Sequence, residues 1–141
     1  MYNILIAGAG QLGSRYLQGL SKVTNALQIY VFDISSESLL VAKERWEECN
    51  NSIHEVEYIS DYNKLPNAIN LTIVSSTANV RIEIIKNILQ FCKVKYWILE
   101  KILAQNVDDL NEINGLINDS KHAWVNTPMH AWPLYKQLIN L

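Results

Sequence analysis

The order of apolar segments predicts an α/β fold: a doubly wound parallel sheet of about six strands in three α/β/α layers. Three observations carry this. Short apolar runs alternate with longer stretches of helical spacing from end to end. The short runs are mostly apolar on both faces, as parallel strands covered by helices must be. A glycine-rich turn, "GAGQLG", joins the first run to the first helical stretch.

Tyr2 to Ala7 reads as a buried strand stopped by glycine. Gln11 to about Val23 has helical spacing, with Leu12, Tyr16, Leu17 and Leu20 on one side. Leu27 to Phe32 is a second apolar, β-branched run. Ser36 to Cys49 is helical, with Ser36 as its expected N-cap and Leu39, Leu40, Ala42 and Trp46 as its apolar stripe. Val56 to Ile59 is a short third strand, and "DYNKLPNA" a loop or stunted helix broken at Pro66. Ile69 to Val74 is the fourth strand, and Asn79 to Phe91 a helix with Ile82, Ile85, Ile88 and Leu89 inside. Tyr96 to Leu99 is the fifth strand. Val107 to Asn118 is helical, and Ala123 to Val125 is a short sixth strand. A last helical stretch is expected near the end of "NTPMHAWPLYKQLINL". There is no internal repeat and no low-complexity tract.

The chain has 141 residues, one domain's worth, of which 49% are hydrophobic and 18% charged. Its net charge of -2 and pI near 5.9 offer no attraction to nucleic acid or to an anionic membrane surface. No apolar stretch approaches the roughly 20 residues that span a bilayer. The N-terminus lacks the basic leader of a signal peptide. A cytoplasmic location is therefore expected. Cys49 and Cys92 lie far apart and read as reduced, at least half-buried thiols. His54, His122 and His130 are scattered, so no metal site is expected. Trp46, Trp97, Trp124 and Trp132 read as packing residues, and His130 as a surface side chain.

The glycine turn sits where a dinucleotide site needs it, with a strand feeding it and a helix leaving it. Gly8 permits the tight turn, Gly10 lets backbone approach a pyrophosphate, and Gly13 lets the helix pack close to the strand. The helix N-terminus offers N–H groups and a partial positive charge to phosphates. Asp33 closes "LQIYVFD", at the separation the Rossmann dinucleotide fingerprint expects for the acid that accepts from the ribose hydroxyls. Its charge would repel a 2′-phosphate, and no Lys or Arg follows until Lys43, so NAD is favoured over NADP. A purely structural turn, or a site for another adenosine ligand such as S-adenosylmethionine, also fits this spacing.

Further along, "WILEKILAQN" resembles the E-K-P segment of the glucose–fructose oxidoreductase / inositol dehydrogenase family (Gfo/Idh/MocA). "IVSSTANVR" resembles that family's fourth-strand end, and "AWVNTP....P.Y" the segment leading out of its Rossmann domain, notably in members linked to bacterial surface sugars. The resemblance runs from Met1 to about Tyr135. It implies an NAD(P)-dependent oxidoreductase acting on a hydroxyl or carbonyl of a sugar or nucleotide sugar. By this resemblance Gly8, Gly10 and Gly13 form the pyrophosphate loop, with backbone contacts from Gln11 and Leu12. Asp33 is the ribose acid, beside Ile34 and Ser35. Ser76, Thr77 and Asn79 lie under the nicotinamide ribose. Glu100 and Lys101 match E-K, and Asn126 lies near the nicotinamide. Lys101 is the implied catalytic residue, a cation beside the reacting oxygen. This sequence departs from the family pattern at Ile102, where proline is usual, and at Arg81, where histidine is common. Met129 and His130 stand where basic residues are expected in the surface-sugar members.

The family's proteins carry a second domain that binds substrate and makes most oligomer contacts. Residues 1–141 correspond to the first domain alone, so this chain is expected to be the cofactor-binding half of a longer enzyme, inactive by itself. A monomer or weak homodimer is expected for it, and an oligomer at full length. The alternative is a stand-alone, non-catalytic dinucleotide sensor.

Overall fold

The structure, a computed structural model, describes residues 1–49 and 53–127. Eleven elements follow in order: β1 (Tyr2–Ala7), α1 (Gln11–Leu20), β2 (Leu27–Phe32), α2 (Ser36–Glu47), β3 (Glu55–Ile59), a single 3-10 turn (Tyr62–Lys64), β4 (Ala68–Val74), α3 (Ala78–Phe91), β5 (Lys93–Glu100), α4 (Val107–Ile117) and β6 (His122–Asn126). The six strands form one sheet in the order β3-β2-β1-β4-β5-β6. Every pairing is parallel, with Ile6 opposite Val31 on one side and Ile73 on the other.

Alternation along the strands fills two cores. Ile4 and Ile6 of β1 join Ile29, Val31 and Ile73 beneath Leu17 of α1 and Ala42 of α2. Leu5 and Ala7 join Ile69, Trp97 and Leu99 beneath Ile85 and Ile88 of α3 and Ile113 of α4. The chain therefore winds to one face of the sheet before β4 and to the other after it. That reversal, between β1 and β4, opens a crevice at the carboxyl ends of these strands.

The fold class, the strand count and every element over the described residues agree with the sequence reading; the boundaries move a little. α1 ends at Leu20 rather than Val23, because Ser21, Lys22 and Val23 turn back through short-range bonds to Gln18, Gly19 and Leu20. Ser35, not Ser36, caps α2: its side chain accepts from the Ser38 N–H at 3.2 Å. Trp97 is fully buried, its Nε1–H donating to Ser120 Oγ at 2.7 Å, and Trp46 is half-buried. Trp124 packs only in part, its ring stacked on Tyr96 and tilted against His122. It lies on β6, the edge strand, and is 51% exposed. The thiols of Cys49 and Cys92 are free, and burial pushes that of Cys92 up to about 11. No helix among the described residues is long and apolar enough to cross a membrane. The expected last helix, Met129, His130 and Trp132 lie outside the described residues.

Candidate functional site

The crevice is shaped first by backbone. Gly8 adopts φ +102°, a conformation open to glycine, and its N–H donates to Phe32 O at 2.8 Å. Its carbonyl accepts from Ser75 Oγ at 2.7 Å. α1 presses onto this turn so closely that a Cβ on Gly13 would lie 1.7 Å from the Gly8 oxygen. Gly10 is the N-cap of α1 and supplies no side chain to the helix's first N–H groups. A Cβ on Gly10 would meet nothing within 4 Å, so the cradle above the helix N-terminus is open. Asp33 ties the end of β2 to this loop: Oδ2 accepts from the Ala9 N–H at 2.7 Å and Oδ1 from the Ser35 N–H at 2.9 Å. Each oxygen keeps a further lone pair for a ligand hydroxyl.

Gly8, Gly10, Asp33, Ile34, Ser76 and Thr77 line one cleft of about 470 Å³. Its floor is aromatic, with the Tyr62 ring stacked on Phe32 at 3.9 Å. Burial pushes the Tyr62 hydroxyl up to about 12, helped by the nearby Glu83 and Asp33 carboxylates. One wall is the face of α3 that carries Val80, Glu83, Ile84 and Asn87. Ser76 Oγ is buried there without a hydrogen-bond partner. An open glycine cradle, an uncapped helix N-terminus, an acid at the next strand end and an orphaned hydroxyl together fit a dinucleotide.

The chain has a Rossmann fold. Three solved structures share it: myo-inositol dehydrogenase from Lactobacillus casei in complex with NAD(H) and myo-inositol (TM-score 0.68, 17% identity), UDP-N-acetylglucosamine 3-dehydrogenase from Acidithiobacillus ferrooxidans (0.75, 15%) and the transcriptional regulator Gal80p from Kluyveromyces lactis (0.69, 16%). The matches cover 99%, 98% and 98% of this chain, and only 42%, 41% and 37% of theirs. At such identities the likeness establishes the fold. No family model matches the sequence, and no curated protein matches it.

Beyond β4 the Rossmann crevice is built from long side chains. Glu100, at the end of β5, is 5% exposed and accepts from Tyr16 OH of α1 and from Asn126 Nδ2 of β6, the latter at 2.6 Å. Asn126 Nδ2 also lies 2.5 Å from the Tyr16 hydroxyl. Burial and the Glu100 carboxylate hold the Tyr16 phenol well above its ordinary value. Arg81 is wholly buried and donates to Ile102 O at 2.5 Å, Leu103 O at 2.7 Å and Ser76 O at 2.6 Å. It thus fastens the segment after β5 to the end of β4. Lys101 is exposed, and the Lys101–Ile102 peptide is cis, without the proline usual at that place in the family the sequence resembles.

The remaining expected residues are more scattered. Gln11 and Leu12 open α1, both exposed, and Arg45 of α2 donates to Gln11 Oε1 at 2.8 Å and to Ser14 Oγ. Ser35 spends its hydroxyl on capping α2. Asn79 sits in the first turn of α3, exposed, its Oδ1 accepting from Thr77 Oγ1 at 2.5 Å. The sequence reading missed Tyr16, Tyr62, Glu83 and Asn87. For the last two a signal existed: with Thr77 and Val80 they follow the three- and four-residue spacing of one helix face.

Proposed function

We propose that this chain is the NAD-binding unit of an oxidoreductase that works on a hydroxyl or carbonyl carbon of a sugar or nucleotide sugar. The observation that carries the reading is Asp33, bonded to the glycine loop by the Ala9 N–H while facing the cleft at the switch point. In this reading the first N–H groups of α1 hold the pyrophosphate above Gly10, and Asp33 accepts from the adenosine ribose hydroxyls. Ser76 and Thr77 carry the backbone side of the path toward the nicotinamide, which supplies the hydride chemistry when bound. The sugar substrate class rests on the E-K segment and on the two dehydrogenases of like fold.

Lys101 would stand beside the reacting oxygen, where a cation stabilises developing alkoxide charge. The Arg81 clamp and the Tyr16–Glu100–Asn126 cluster fix the backbone that presents it. Hydride transfer requires near-attack contact between donor and acceptor, and Lys101 is exposed here. A second wall, from a substrate domain, therefore belongs to the working enzyme. A non-catalytic sensor is the second reading, favoured by the likeness to Gal80p, a transcriptional regulator.

Calorimetric titration of the chain with NAD and NADP tests the cofactor assignment. NAD should bind more tightly, and Asp33→Ala should narrow the gap by about tenfold, the scale of one charge-assisted contact. Equal or tighter binding of NADP by the wild type overturns it. In the working enzyme Lys101→Ala should lower kcat by roughly 100-fold and leave NAD affinity unchanged; an unchanged kcat favours the sensor.

A further inference from the structure

The cleft runs past the ribose position along α3, and its far end is chemically asymmetric. Ile34, 87% exposed, reaches it from the loop after β2, and Val80 and Ile84 reach it from α3. Two apolar walls of this kind suit the two faces of a flat base. Val80, Glu83 and Asn87 share one helix face, and seven residues of α-helix span about 10 Å, enough to reach beyond the ribose to the rim of a purine. The polar groups at that rim are the Glu83 carboxylate and the Asn87 amide, which lines the same cleft as Tyr62. Glu83 has no ion-pair partner among the described residues, whereas Lys86, one turn on, is paired with Glu112.

We propose that Glu83 reads the 6-amino group of the adenine, with Asn87 beside it, and makes this site select adenine over hypoxanthine and guanine dinucleotides. The inference rests on the dinucleotide reading above and adds a determinant of base identity to it. Adenine presents an amino donor at C6 and a bare acceptor at N1. Hypoxanthine and guanine present a carbonyl oxygen at C6 and an N–H at N1. An ionised carboxylate only accepts. Reaching C6 from the side away from N1, it therefore pairs with the adenine amino group and faces the 6-oxo group of the others acceptor to acceptor. An amide turns to offer either a donor or an acceptor, so Asn87 holds any purine and Glu83 discriminates.

The test titrates the chain with NAD and with nicotinamide hypoxanthine dinucleotide by calorimetry, using wild type, Glu83→Ala, Glu83→Gln and Asn87→Ala. Glu83 is exposed, so its variants fold, and circular dichroism checks this. Wild type should prefer NAD by about tenfold, the scale of one net hydrogen bond. Glu83→Ala should abolish the preference, and Glu83→Gln should abolish it by accepting both bases. Asn87→Ala should weaken both ligands and keep the preference. Equal affinity of the two dinucleotides for wild type, or a preference that survives in Glu83→Ala, overturns this inference and leaves the dinucleotide site standing. Failure of NAD itself to bind wild type overturns both.

Discussion

The loop after β1 and the loop after β5 both hold backbone in a fixed shape at the rim of the same sheet, and they do it with opposite materials. The first has almost no side chains: Gly8 turns, Gly13 lies against it, and Asp33 adds one carboxylate. The second is held by bulk. Arg81 fills a buried position and bonds three carbonyls, while Tyr16, Glu100 and Asn126 close a cluster across positions 84 and 110 apart in the chain. A loop shaped by missing Cβ atoms fails when atoms are added. A loop shaped by long polar side chains fails when atoms are removed, because buried acceptors lose their donors.

Gly13→Ala is the sharpest test of this contrast. Its methyl group would lie 1.7 Å from the Gly8 carbonyl oxygen, so helix and loop must separate. Urea unfolding should show a loss of about 3 kcal/mol; a loss under about 1 kcal/mol means the loop yields and the contrast is broken. Arg81→Met follows, removing the donor to Ile102, Leu103 and Ser76, with an expected loss of about 2 kcal/mol. Trypsin should then cut faster after Lys101, and an unchanged cleavage rate would show that the clamp is not what holds that segment. Gly10→Val sharpens the comparison from within the glycine loop. Gly10 has φ −61° and nothing within 4 Å of its Cβ position, so unfolding should change by about 1 kcal/mol or less. NAD binding should nevertheless weaken by at least about tenfold, because the added methyl groups enter the cradle. Wild-type affinity in this variant would move the pyrophosphate elsewhere.

The spacing of Gly8, Gly10, Gly13 and Asp33 was legible because backbone-built sites are local: the residues that make the shape are the ones that adopt it. The alternation of strands and helices was legible for the same reason. The β5 side was half legible. Glu100, Lys101 and Asn126 stood out by resemblance, but nothing near them in sequence announced Tyr16, which completes the cluster from α1. Arg81 read as a departure from a family pattern, and its role as a buried clamp follows from packing that no local pattern encodes. Trp124 does pack, on Tyr96 and His122, but the edge position of β6, which no local pattern announces, leaves half of it exposed.

The smallest expected effect concerns the cleft floor. The Tyr62 hydroxyl is pushed up from 10.0 to about 12, mainly by burial. The unfolded chain releases that proton first, so the stabilisation is complete below pH 10 and is lost as pH rises from 10 to 12. The urea midpoint should fall between pH 9 and pH 11. Tyr62→Phe should flatten part of that decline, the rest belonging to Cys92, raised to about 11, to Tyr58, raised to about 12, and to Tyr16 and Tyr30, also raised by burial. An identical slope in the variant would mean that Tyr62 is solvated and the floor is not closed.

Strand order also imposes a timetable on synthesis. β1 is made first and lies in the middle of the sheet, between β2 and β4. One of its edges finds a partner when Leu27–Phe32 emerges; the other waits for Ala68–Val74. Until residue 74 has emerged, this strand, whose residues Ile4 to Ala7 end up buried, has a bare edge, the condition in which nascent chains associate wrongly. The glycine loop, flanked by β1 and by Ser75 just beyond β4, takes its final shape only when that wait is over.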